Sequence, residues 1–127
     1  MSKQGRLRIK IQLYRGEDIA LGPGKADLLE AIRAEGSISS AARALGMSYR
    51  RAWMLVEVMN RCWREPLVEA SAGGRSGGGA HVTDLGLMVL ALYRSVQDSS
   101  QTAAQDGWSK LRPLLNPHDS DDDGENA

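Results

Sequence analysis

The stretch "GSISSAARALGMSYRRAWMLVEVMN", Gly36 to Asn60, decides how the chain is read. Ser37 is a ready N-cap for "ISSAARAL", in which Ile38, Ala41, Ala42 and Leu45 recur at helical spacing and the alanines permit close packing. Gly46 ends that segment. Ser48 can cap a second helix, "YRRAWMLVEVMNRCW", whose Ala52, Leu55, Val56 and Met59 form an inward stripe while Arg50, Arg51, Glu57 and Arg61 stay in water. Two helices joined by a tight glycine turn, the second presenting its first residues outward, match the form that enters a DNA major groove about 12 Å wide. The helix dipole does not favour cations in a first turn, so an external anion would relieve Arg50 and Arg51. From there arginine reaches guanine O6 and N7 bidentately, or a phosphate. The plainer reading is two solvated arginines on an exposed turn. Ser48 and Tyr49 can donate to phosphates, although Ser48 also serves as a cap and the Tyr49 ring can pack on the preceding helix. Trp53 is expected in the core, with stacking on unpaired bases as the alternative.

Working outward, "KADLLEAIRAE" from Lys25 to Glu35 sets Leu28, Leu29 and Ile32 on one side of a helix that Gly36 terminates. Further upstream, Leu7, Ile9, Ile11 and Leu13 alternate with Arg6, Arg8, Lys10 and Gln12, which predicts a strand with one buried and one basic face. Basic residues there protect an edge strand or contact nucleic acid. "GEDIALGPG" then turns the chain. Downstream of Pro66, "LVEAS" and "AHVT" read as short strands flanking "AGGRSGGG", a wing-shaped hairpin with a glycine-rich tip. Arg75, alone among those glycines, can reach along a sugar-phosphate backbone or into a minor groove. Thr83 and Asp84 open a last helix, "DLGLMVLALYRSVQ". Leu85, Met88, Val89, Leu92 and Val96 form its apolar stripe, and Leu87, Leu90 and Ala91 widen it. A partner helix and the monomer's own core both account for so wide a face. Past Gln101 the pattern fades, leaving "WSKLRPLLNP" as a docking segment and "HDSDDDGENA" as a disordered acidic end.

A chain of 127 residues makes one domain with a modest core and, at most, an unstructured end. Its formal net charge of zero conceals a division: residues 1–97 hold 14 Lys/Arg against 9 Asp/Glu, and residues 98–127 hold 2 against 7, so the body is +5 and the tail −5. A basic body suits an anionic partner. The single cysteine, Cys62, precludes an intramolecular disulfide and a Cys-rich zinc site, fits a cytoplasmic protein, and reads as a small buried hydrophobe. The longest nearly apolar run, Leu85 to Tyr93, is about half a membrane span. "GGRSGGGAHV" lacks the Gly-Lys-Ser/Thr ending of a phosphate loop, and the calcium-loop-like "DSDDDG" of Asp119–Gly124 stops before a bidentate glutamate. His81 and His118 join no nucleophile or metal-ligand pattern, so neither an enzyme, a cofactor nor a metal site is expected.

The quoted core stretch, "LVEASAGGRSGGGAHVT", Gly86 and "LALYR" together resemble the N-terminal DNA-binding domain of ModE-type, molybdate-responsive transcription regulators, over roughly Lys25 to Arg94. The glycine-rich wing, the Ser-Tyr-basic start and the Ala-Trp pair occur in the family's order. A helix-turn-helix pattern alone is shared with many regulators, including the LysR type. The resemblance implies a mainly α fold with a small β component: a winged helix-turn-helix that dimerises through its terminal helices. Ser48, Tyr49, Arg50 and Arg51 match the recognition-helix start, and Arg75 the basic wing residue. Met54 departs from the family, which usually carries an acidic residue there. Full-length members continue into oxyanion-binding domains, where this chain has about thirty residues with an acidic end. Molybdate sensing by these residues is therefore not expected.

The reading is a DNA-binding domain over residues 1–104, with a docking segment and acidic tail over 105–127. Arg50, Arg43 and Arg75 are expected on phosphates, and Arg51 or Tyr49 on bases, of double-stranded DNA bound by a homodimer. The competing reading is a protein–protein adaptor that uses the same fold through the apolar face around Leu87 to Leu92.

Overall fold

The computed structural model describes residues 5–71 and 78–117. The chain divides into two compact units, Lys10–Ser95 and Met1–Ile9 together with Val96–Ala127.

Three helices organise the first unit. Helix α1 (Pro23–Glu35) starts two residues earlier than the apolar pattern suggests, because Pro23 occupies N1, where its missing N–H costs nothing. Ala26, Leu28, Leu29 and Ile32 are its buried face. Gly36 closes it in the left-handed region (φ 81°), donating its N–H to the Ile32 carbonyl at 2.9 Å. Helix α2 (Ile38–Leu45) follows at once, Ser37 Oγ accepting from the Ser40 N–H at 3.0 Å. Helix α3 (Tyr49–Cys62) begins in the same way, Ser48 Oγ accepting from the Arg51 N–H at 3.1 Å. Both glycine stops and both serine caps are as the sequence indicates. Ala52, Val56 and Met59 are buried as expected and Leu55 partly so, whereas Leu45 lies exposed at the end of α2. Cys62 is half-buried rather than buried.

The predicted strand over Leu7–Leu13 is corrected. Pairing is confined to β1 (Leu13–Arg15) and an unforeseen antiparallel β2 (Asp18–Leu21), in the register Leu13↔Leu21 and Arg15↔Asp18. Alternation still sorts the side chains upstream, for Leu7 and Ile9 are half-buried while Arg6, Arg8 and Lys10 are exposed. What those residues lack is a partner strand: after Leu21 the chain turns through Gly22 into α1. A ladder needs two backbones, and β2 supplies only four residues.

The second hairpin pairs β3 (Val68–Ser71) with β4 (Gly79–Val82) antiparallel, Val68 opposite Val82 and Ser71 opposite Gly79. Val68, Ala80 and Val82 face the core. Helix α4 (Asp84–Leu111) is longer than the pattern predicts, running ten residues beyond Gln101 before a 3-10 turn over Arg112–Leu114. Its buried residues are Gly86, Val89, Leu90 and Tyr93, and Met88, Leu92 and Val96 of the predicted stripe are exposed. Tyr93 donates its hydroxyl to the Ile11 carbonyl at 2.7 Å, and burial pushes its pKa up. Arg94 bridges α4 to α1, with Nε 3.0 Å from Glu30 Oε2 and Nη2 3.0 Å from Asp27 Oδ1. Among the described residues no helix is long and apolar enough to cross a membrane.

In the other unit, a Cβ at Gly5 would collide with Leu115 and lie 3.7 Å from the Trp108 ring, so the N-terminal segment runs close against the region after α4. Part of the predicted docking segment is thus the last turn of α4 and the 3-10 turn.

Two consequences are measurable. At Gly86 an added Cβ would strike the Leu67 carbonyl oxygen and Val82 Cγ1, where backbone cannot yield. Gly86→Ala should therefore destabilise the fold by about 1–3 kcal/mol in denaturant titrations. Arg94 holds the Glu30 carboxyl below its ordinary value, chiefly through their hydrogen bond. A depressed folded pKa stabilises above the unfolded value and is lost as pH falls through the folded one. Arg94→Ala should cost about 1 kcal/mol near neutrality, as exposed ion pairs do. That difference should shrink as melts are taken to roughly pH 3.

Candidate nucleic-acid interface

Small side chains bring α2 and α3 together: Ala41 and Ala42 on one helix and Ala52 on the other are buried. Gly46 makes the corner at φ 71°, its N–H donating to the Ala42 and Arg43 carbonyls, and the Met47 N–H returns to Ala42 O at 3.0 Å. This geometry leaves the first turn of α3 standing clear. Ser48, Tyr49, Arg50 and Arg51 are all exposed there, as is Arg43 on α2, whose Nη2 lies 3.3 Å from Ser40 Oγ. Ser48 Oγ is engaged as the cap.

Among the described residues, Arg43, Arg50 and Arg51 make no ion pair, in contrast to Arg61, whose Nε lies 3.4 Å from Asp18, and to Arg94. Lys25 at the start of α1 has its pKa lowered, by burial first of all; Cys62 and Asp18 act to raise it and the Arg51 charge to lower it. Five of the six sequence-predicted residues are thus exposed, Arg43 on α2 and the other four at the start of α3. The sixth, Arg75, lies outside the described residues, as do the hairpin tip and His118.

Trp53 corrects an expectation. It is 46% exposed, not in the core, because the buried stripe of α3 passes through Ala52, Val56 and Met59 and leaves position 53 on the flank. With Tyr49 it borders a groove of about 400 Å³ between α3, the start of α2 and the β3–β4 hairpin; Ile38, Ser39, Ala70 and Gly79 are among the other lining residues. The hairpin is held beside α3 by Asn60, which sequence reasoning missed. Its Oδ1 accepts from the Leu67 N–H at 2.8 Å and the Val68 N–H at 3.1 Å, while Nδ2 donates to Val68 O at 3.0 Å. At the far strand, the Ala80 N–H donates to Gly36 O at 2.9 Å, fastening β4 to the α1–α2 corner. Thr83 Oγ1 donates to Pro66 O at 2.8 Å and accepts from the Gly86 N–H at 3.0 Å.

Three helices, a glycine-cornered second pair, and an antiparallel hairpin clamped beside the third define a winged helix-turn-helix domain. Comparison with known proteins refines this class. No family model matches the chain. It is 45% identical over 98 residues to the molybdenum transport protein ModE of Azotobacter vinelandii, covering 77% of this chain and 36% of that protein. It is 43% identical over 81 residues to the molybdenum-pterin-binding protein MopA of Rhodobacter capsulatus, covering 64% and 31%. With the DNA-binding transcriptional dual regulator ModE of Escherichia coli (strain K12) the identity is 35% over 97 residues, covering 76% and 36%. The ModE-type resemblance read from the residues is borne out: the chain is similar to proteins named ModE over about three quarters of its length. It spans about a third of the length of these curated relatives.

Asn60→Ala removes three hydrogen bonds and leaves the backbone N–H groups of Leu67 and Val68, both buried residues, without their acceptor. A loss of about 1–3 kcal/mol is expected, together with faster amide exchange at Leu67 and Val68.

Proposed function

We propose that the chain binds double-stranded DNA as a dimeric winged-helix transcription regulator. Helix α3 enters the major groove, and the β3–β4 hairpin lies over the adjoining backbone or minor groove. The observation that carries this reading is the exposure of Arg50 and Arg51 on the first turn of α3, with no acidic side chain paired to either among the described residues. Cations at a helix N-terminus oppose the dipole, and a phosphate or a guanine edge offsets that cost. Arg50 and Arg43 contact phosphates; Arg51 or Tyr49 reads bases. The backbone role of Arg75 rests on its place in the sequence alone.

Dimerisation uses α4. Met88 and Leu92, one turn apart, are each more than half exposed, in a stretch from Leu85 to Tyr93 that holds no charged residue. A second copy would bury that face and set two α3 helices about 34–36 Å apart on a partly symmetric site. The same exposed face favours a second reading, an adaptor that binds another protein without touching DNA.

Selection of duplexes from a random pool, followed by anisotropy titration at several salt concentrations, separates the two. Salt-dependent, sequence-selective binding supports the regulator; its absence supports the adaptor. Arg51→Ala should cost about 1–3 kcal/mol at the selected site and relax its base preference. Arg43→Ala should weaken selected and random duplexes alike and lower the salt slope by about one. Equal losses on both kinds of duplex for Arg51→Ala would remove base reading from its role.

A further inference from the structure

Resting on the reading of α3 as a groove-binding helix, we infer that Met54 reads the C5-methyl group of a thymine and so fixes part of the sequence preference. At about 3.6 residues per turn, Arg50, Met54, Glu57 and Arg61 fall on one line along α3, displaced by two residues from the buried line of Ala52, Val56 and Met59. Two residues are somewhat more than half a turn. Met54 is therefore at the crest of the helix, pointing away from the core, and is 50% exposed. Trp53, its neighbour in sequence, is 46% exposed on the adjoining flank. An apolar crest here does nothing for the fold.

Its surroundings name the occupant. Arg50 stands one turn before Met54 on the same line and Arg51 is exposed beside it, while Glu57 follows one turn after, so the crest is cationic at its N-terminal end and suits an anionic partner there. In a major groove the base edges present hydrogen-bond donors, acceptors and one apolar group, the thymine methyl. A thioether is a poor match for the donors and acceptors and a good one for the methyl, around which its unbranched, polarisable chain can adapt. An acidic side chain at this crest would repel the phosphates and accept from cytosine; methionine does neither.

The test uses the full chain and the duplex selected from the random pool. Each thymine is replaced in turn by deoxyuridine, which keeps base pairing and lacks only the C5-methyl. At one or two positions the wild-type protein should lose about fourfold in affinity, the equivalent of one methyl-sized burial. Met54→Ala should bind the thymine and uracil duplexes there equally, and Met54→Leu should keep most of the discrimination. Both variants should melt like the wild type, because the side chain is outside the core. Selective binding that ignores every thymine methyl, or discrimination that survives Met54→Ala, overturns the assignment and leaves the regulator reading intact. No duplex binding at all overturns both. Loss of self-association in Met54→Ala, with DNA discrimination unchanged, assigns the crest to protein contact and overturns it too.

Discussion

The close approach of α2 and α3 is the constraint on which the surface depends. Ala41, Ala42 and Ala52 leave room for the two backbones, and Gly46 supplies the left-handed corner that no β-branched residue would accept at φ 71°. Larger side chains at the alanines would push α3 outward and rotate its first turn. Because the helices are clamped near their junction, Ser48 caps α3 at the point where the chain emerges, and the next three side chains have nowhere to go but solvent. Exposure of the cations is thus a by-product of packing, not of charge.

The hairpin takes its position from hydrogen bonds instead. Asn60 reads both the N–H and C=O of Val68 from α3, and Gly36 O at the α1–α2 corner receives the Ala80 N–H, so the two strands are tied at different places. Gly86 permits the start of α4 to press on Leu67 from the remaining side. A hairpin of eight paired residues would be marginal alone. Fixed at three places, it forms one wall of the groove that Tyr49 and Trp53 border on the other side.

Local signals in the sequence carried the helical part of this arrangement. The serine caps, the glycine stops and the apolar spacing of α2 and α3 each act within a few residues, so they can be read without knowing what packs where. Strand β2 could not be read, because Asp18–Leu21 is strand only by virtue of pairing with β1. A large aromatic ring suggests burial, but Trp53 lies about a quarter turn off the stripe of Ala52, Val56 and Met59, and helix phase outweighs side-chain type there. Asn60 gives no sign at all. It lies close to the inward line of α3, and its value comes from a segment seven and eight residues further on. Of the site, the exposed arginines are legible from helix phase; the groove is not, since its walls come from α2, α3 and both strands of the hairpin.

Among the described residues, the exposed apolar side chains of α3 and those of α4 have charge settings that differ in a way that separates their partners. On α3, Tyr49, Trp53 and Met54 are interleaved with Arg50 and Arg51, so burying them against hydrocarbon would strand two guanidinium groups at a cost of several kcal/mol each. On α4, Met88 and Leu92 lie in nine residues without a charge, and the same burial strands nothing. The first surface is compatible with a polyanion that offers scattered apolar groups. The second is compatible with another apolar helix face, for which a second copy of α4 is the simplest source. A single partner that satisfied both would have to be anionic at one place and apolar at the other, whereas duplex and twin chain divide the requirement between them.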